Sequence, residues 1–202
     1  MFELLTGTGL AVAAGLNAYI PMLIVGLAGR FLDFVVLPAG WSWLENEWVL
    51  GILGVLLVIE IVADKIPVVD TINDWIQTIV RPAAGGIVFG AGSSSATAVV
   101  QDPGQFFTSG SWVPVAVGVV LALGVHAGKA LARPAINAMT LGIGAPVVST
   151  IEDASSVVMS ILAILAPVLV ILGIGGLIWA MVAVFRRAAR KRRERAAENP
   201  AL

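Results

Sequence analysis

The sequence predicts an all-α fold: a polytopic transmembrane helical bundle. Composition is the first reason. Hydrophobic residues make up 58% and charged residues 12%, where a soluble domain carries about 25% charged. Mean hydropathy is +0.97. Run length is the second reason, since several apolar stretches reach the roughly 20 residues that cross a bilayer as a helix. The third is the placement of Lys and Arg, which gathers on one side of the resulting layout.

The first apolar run covers about Leu5 to Gly29 and reads as one crossing. A second runs from Trp48 to about Ile66, a third from about Pro82 to Val100, and a fourth from Trp112 to about Leu131. The stretch Pro146 to Phe185 would be about 60 Å long as one helix. That is too long for one crossing, and Pro167 splits it into a fifth and a sixth helix. The expectation is therefore about six spanning helices in one unit over residues 1–185, followed by a basic tail at 186–202. Leu37-Pro38-Ala39-Gly40 and Asp102-Pro103-Gly104 supply turn chemistry between spans. No cleavable leader is expected, because Met1-Phe2-Glu3 opens without a basic segment.

Two segments fit poorly as spans. Asp70 to Arg81 places Ile72, Trp75, Ile76, Ile79 and Val80 at helical spacing, with polar residues opposite. It reads as an amphipathic helix at the inner interface. Pro134 to Ala145 takes the equivalent place. Either could be a re-entrant half-helix instead.

A duplication underlies the layout. Sliding the chain by 64 residues aligns Trp48–Pro82 with Trp112–Pro146 without gaps, giving 11 identities in 35 positions. The matches include Gly54/Gly118, Lys65/Lys129 and Asn73/Asn137. Two crossings separate the copies, so the sequence predicts an internal parallel repeat, of a kind some transporters use.

Formal net charge is −1, but the tail from Arg186 onward carries +5 and the rest −6. With both ends cytoplasmic, 11 of the 12 basic residues fall inside and only Arg30 outside, a strong positive-inside pattern. Trp41, Trp43, Trp48 and Trp112 then gather at the outer interface. The tail is expected to meet anionic membrane lipid. Nucleic acid is not an expected partner, since no aromatic residue interleaves the basic ones. Six short helices make a thin bundle, so homo-oligomerisation stays open.

The absence of cysteine removes disulfides, thiolate metal sites and cysteine nucleophiles, and a single histidine removes a His-rich metal centre. No GxSxG, Walker A or HExxH pattern is present. No cofactor and no enzymatic activity are expected.

The informative residues are those that cost energy in lipid. Glu60 and Asp64 share a face of the second helix. His126, Lys129 and Arg133 share a face of the fourth. An acidic stripe opposite a basic one would satisfy both. Such a pairing is either structural glue or part of a pathway. Glu152 and Asp153 sit near the start of the fifth helix. Ser149 with Glu152 fits a capping box if that helix begins at Ser149. A start at Pro146 carries both carboxylates deeper and gives them a need for partners. Asn17 precedes Pro21, whose ring crowds the Asn17 carbonyl and kinks the helix. Such a kink suits an ion or substrate site, or an amide that satisfies freed backbone groups. Gly90 to Ser95 is small and polar, and reads as close helix packing before a hydroxyl-lined path. Asp70, Asn73 and Asp74 share a face that is either solvated or able to ligate a hard cation. Arg81 and Asn137 complete the secondary candidates.

Several of these stretches occur together elsewhere. Gly15-Leu16-Asn17-Ala18-Tyr19-Ile20-Pro21, Glu60 through Asp70 with Arg81-Pro82, His126-Ala127-Gly128-Lys129 and Ser149-Thr150-Ile151-Glu152-Asp153 resemble a family of small bacterial membrane proteins, the domain of unknown function 4126. The resemblance covers nearly the whole chain up to the basic tail. It implies an integral membrane protein and carries no substrate with it; the expected location is the bacterial inner membrane. It also implies that Asn17, Glu60, Asp64, Lys65, His126, Lys129 and Glu152 occupy family motif positions.

Function is expected to be transport or conduction of an ion or small charged solute. If protons are coupled, Glu60 and His126 are the candidate carriers. A cation would use Glu60, Asp64, Glu152 and Asp153 with Asn17. An anionic group would use Lys65, Lys129 and Arg133. The rival expectation is a non-transporting scaffold whose tail docks lipid or a partner.

Overall fold

A computed structural model describes residues 2–93, 112–140 and 144–198 of the chain. Among them are seven α-helices and no strand. These are α1 (Phe2–Leu16), α2 (Tyr19–Phe31), α3 (Glu47–Ala63), α4 (Pro67–Gly92), α5 (Trp112–Thr140), α6 (Gly144–Leu165) and α7 (Val170–Glu198). Short 3-10 turns occupy Ser42–Glu45 and Pro167–Leu169. Three stretches have the length and apolar composition of membrane spans: Trp112–Pro134, Pro146–Leu165 and Pro167–Arg190.

The break between the last two falls where Pro167 puts it. Ala166 is driven to φ −147°, ψ 67°, since a residue before proline is pushed out of the helical region. The first apolar run behaves otherwise. It is two helices, of 15 and 13 residues, and not one crossing. The chain turns at Asn17–Ala18, and Pro21 lies within the first turn of α2. There its missing N–H has no intrahelical partner to lose.

Packing fixes the direction of each half. Gly7 of α1 lies against Phe89 of α4. Trp41, beyond α2, covers Gly90, the next residue on α4, and Leu44 meets Gly26 of α2. The chain therefore runs along α1 to the Asn17 turn and returns along α2. The open ends of this V lie together at one end of α4. α1 is the central element. It packs on α4, α5 and α6, and every residue from Gly9 to Leu16 is buried. Its glycines and alanines let the surrounding backbones close in.

Two expected short helices do not exist as separate elements. Asp70 to Arg81 is part of α4, which continues through Pro82. Its apolar face is the outer one: Trp75 is 78% and Ile79 76% exposed, while Gln77 is 1% and Arg81 0% exposed. A lipid surround inverts the usual sense of an amphipathic helix, because the polar face finds its partners inside. Likewise α5 continues through Pro134 to Thr140. The two segments that align in sequence therefore break differently. Asp64 to Ile66 ends a helix in the first copy, while residues 128–130 lie inside α5 in the second.

A buried charge network at the α1–α2 turn as candidate functional site

The turn exposes two kinds of backbone group. The last carbonyls of α1 have no helical donor, and the first amides of α2 no helical acceptor. Asn17 serves the second set: its Oδ1 accepts from the Tyr19 amide at 3.0 Å and the Ile20 amide at 3.2 Å. Buried cations serve the first. Arg81 Nη1 donates to the Gly15 carbonyl at 3.4 Å, and Lys129 Nζ to that of Leu16 at 3.3 Å. Both charges sit at the negative end of the α1 dipole, where cations are favoured. Ser156 of α6 donates to the Ala13 carbonyl at 2.9 Å.

Around this turn the ionisable side chains converge. Glu60 of α3 meets Arg81 of α4 at 2.9 Å (Oε1 to Nη2), and both are fully buried. Asp64, one turn further on, accepts from Asn73 at 2.7 Å and from Ser149 at 3.3 Å. It also lies 3.9 Å from Lys129 and 3.6 Å from Arg133. Glu152 of α6 pairs with Lys129 at 2.7 Å and Arg133 at 3.4 Å. Arg133 Nη1 reaches Asp74 at 3.1 Å. Asp153 accepts from Asn17 Nδ2 at 3.0 Å. His126 links Thr78 (Nε2 to Oγ1, 3.1 Å) with Arg81 (Nδ1 to Nη1, 3.4 Å).

The acidic and basic stripes meet in part: Asp64 faces Lys129 and Arg133, whereas Glu60 takes Arg81 of α4 as its partner. The capping box does not form. α6 begins at Gly144, so Ser149 is inside the helix and donates to Asp64. Glu152 and Asp153 lie deeper and take Lys129, Arg133 and Asn17 as partners. Asn73, Asp74 and Arg81 line the buried side of α4 and belong to the network, which corrects the solvated-face reading. Lys65 stands outside it: the side chain is exposed and its Nζ donates to the Ile61 carbonyl of its own helix at 3.1 Å. Lys65 follows the end of α3, on another side from Asp64. The side chains of Asp70 and Asn137 lie outside the described residues, as do Ser94 and Ser95. The candidate cation set is divided, with Glu60 held by Arg81 and Asp153 by Asn17. Among the described residues no three His, Asp or Glu side chains converge as a metal site.

Sequence reading missed Gln77, Thr78 and Ser156. The available signal was helical phase, since Gln77 and Arg81 fall together on the inward side of α4, with Thr78 at its exposed margin.

Fold and site define an all-helical protein of membrane-spanning type, built around a broken helix and a buried ionic network. The chain matches the model of a family described as Domain of unknown function (DUF4126) over residues 4–187, and it belongs to that family. No curated protein and no solved structure matches it.

Proposed function

We propose that this protein is an integral membrane transporter or channel for an ion or small charged solute, with its path passing the α1–α2 turn. The observation that carries the reading is the broken helix. Half-helix ends that meet buried charge are the device by which discontinuous helices build transport sites. A charge imbalance supports a cationic or protonic solute. Among the described residues four carboxylates (Glu60, Asp64, Asp74, Glu152) pair with three cationic side chains (Arg81, Lys129, Arg133), and a fifth, Asp153, meets the amide of Asn17. Lys129 and Arg133 are already engaged by carboxylates, which disfavours an anion there. No enzymatic step is assigned.

In this reading α3 to α7 make five crossings and α1–α2 dips in from one side, replacing the six crossings read from the sequence. Lys65, Lys129, Arg133 and the tail fall toward one end and Arg30 toward the other. The positive-inside rule then makes the former end cytoplasmic, in a bacterial inner membrane. Phe2 of α1 falls on the opposite side from the tail. The parallel directions of α3 and α5 support a duplicated origin.

The test is flux in liposomes across a panel of monovalent cations, protons and small anions. Glu60→Gln should abolish flux while the helical circular-dichroism spectrum is kept. Unchanged flux removes Glu60 from the path. The close pairing of Lys129 and Arg133 favours one second reading, a scaffold held by ionic glue. That reading expects deletion of residues 186–202 to abolish function while charge swaps within pairs are tolerated.

A further inference from the structure

Glu60 and His126 are the two sequence candidates for a proton carrier, and their surroundings differ sharply. A guanidinium can only donate. Arg81 Nη1 lies 3.4 Å from His126 Nδ1, so Nδ1 must accept. The ring proton is then on Nε2, facing Thr78 Oγ1 at 3.1 Å. The Thr78 hydroxyl in turn donates to the Asp74 carbonyl at 2.8 Å. This chain is complete as it stands. A proton added at Nδ1 would set an N–H against the N–H of a permanent cation. Lys129 and Arg133 on the same helix oppose a further positive charge, and Asp74 acts against them.

Glu60 is the reverse case. It is 1% exposed, and its Oε2 has no hydrogen-bond partner among the described residues. Three more unsatisfied buried atoms lie on α4: Arg81 Nε, Oε1 of Gln77 one turn earlier on the same face, and Oδ1 of Asp74. Arg81 thus meets Glu60 through one nitrogen only. An ionised Glu60 leaves Oε2 as a buried acceptor without a donor, and protonation removes that charge and turns the oxygen into a donor. Asp64 is better served, by Asn73, Ser149, Lys129 and Arg133, and so is Glu152, by Lys129 and Arg133. Asp74 also has one unpartnered oxygen, but it holds Arg133 with the other and its side chain is 24% exposed, so its charge is less costly than that of Glu60. The groups facing Glu60 are Arg81 from α4, Lys129 from α5, Tyr19 from α2 and Asp64 from its own chain segment.

We propose that Glu60 is the proton-binding site of the network, and that His126 is a fixed neutral link that positions Arg81 beside it. Protonation moves one proton from water onto Oε2 and releases Arg81 from its counter-ion. The inference rests on the transport reading for its purpose, but its test does not use flux.

His126 is the sole histidine in the chain, so ring-labelled 15N-histidine reports on it alone. In the full-length protein in detergent, the two nitrogen resonances should keep the Nε2–H pattern between about pH 5 and 8. Over the same range, infrared difference spectra should show the C=O stretch of a protonated carboxyl group growing as pH falls. That band should vanish in Glu60→Gln, persist in Asp64→Asn, and return at a shifted position in Glu60→Asp. His126→Gln should move the pH at which the band appears, because Arg81 is no longer held. A titrating His126, a band that survives Glu60→Gln, or no band at all overturns the proposal. Silent liposomes with an intact band would instead count against transport alone.

Discussion

Asn17 spans the α1–α2 turn with both ends of its amide. Its Oδ1 caps α2, while its Nδ2 reaches Asp153 at 3.0 Å across 136 residues of sequence. One side chain thus ties the broken helix to α6. Losing a helix cap costs about 1 kcal/mol, and stranding a buried acceptor about 1–3 kcal/mol. Asn17→Ala is therefore expected to lower stability by about 2–4 kcal/mol, read from thermal unfolding in detergent. Asn17→Asp keeps the acceptor but sets a carboxylate against Asp153. It should be as damaging, and Asp153→Asn should partly rescue it. An Asn17→Asp protein as stable as the parent would show that the Asp153 contact does not matter.

Lys129 offers a test of coupling. It is buried between Asp64, Glu152 and the Leu16 carbonyl. Removing one partner of a buried ion pair costs about 3–5 kcal/mol, since it leaves uncompensated charge. Lys129→Met should fall in that range. Adding Glu152→Gln should return part of the loss, because the stranded carboxylate is gone. Strict additivity in this double-mutant cycle would mean that the 2.7 Å contact contributes nothing of its own.

α4 and α5 cross with backbones in contact at Gly85 and Gly118. A side chain at Gly85 would meet the Gly118 carbonyl at 2.7 Å, and one at Gly118 would meet Phe89 at 2.5 Å. Neither neighbour can yield without parting the helices that carry Arg81 and His126. Gly118→Val should cost at least the 1–3 kcal/mol typical of about one overpacked site. Gly124 has open space around it, so Gly124→Ala should be neutral or slightly stabilising in the same melt. Equal effects of the two substitutions would deny the close crossing.

How far the sequence disclosed this site depends on the element. The meeting of Asp64 with Lys129 and Arg133 was legible, because helical spacing places each stripe on a single face, while the Glu60 partner, Arg81, was not. The break at Pro167 was legible from proline chemistry. The course of α4 was not. Its polar residues and Pro82 imitate a boundary, and only the tertiary packing shows that the polar side faces inward. Arg81 therefore ranked below Lys65, although Arg81 is wholly buried against Glu60 and Lys65 points away. Which of two nearby cations meets a carboxylate depends on the phase of each helix after the turn at Asp64–Ile66, and motif spacing does not encode that. Asn17 was legible as a break. Its direction was not, since a kinked span and a returning pair share one hydropathy trace.

That last distinction yields a direct measurement. In a single kinked span, Phe2 and the basic tail lie on the same side of an evenly crossed bundle. In the returning arrangement, Gly7 and Trp41 share one end of α4. α7, which starts beside Gly9 and passes Gly128 at Met181, delivers the tail to the other end. The chain contains no cysteine, so single cysteines introduced at exposed positions report cleanly. Glu3→Cys is expected to react with a membrane-impermeant maleimide added to intact cells. Lys65→Cys and Ala189→Cys should react only after the membrane is permeabilised. Labelling of Glu3→Cys and Ala189→Cys from the same side would rule out the re-entrant pair and, with it, the half-helix ends on which the transport reading stands.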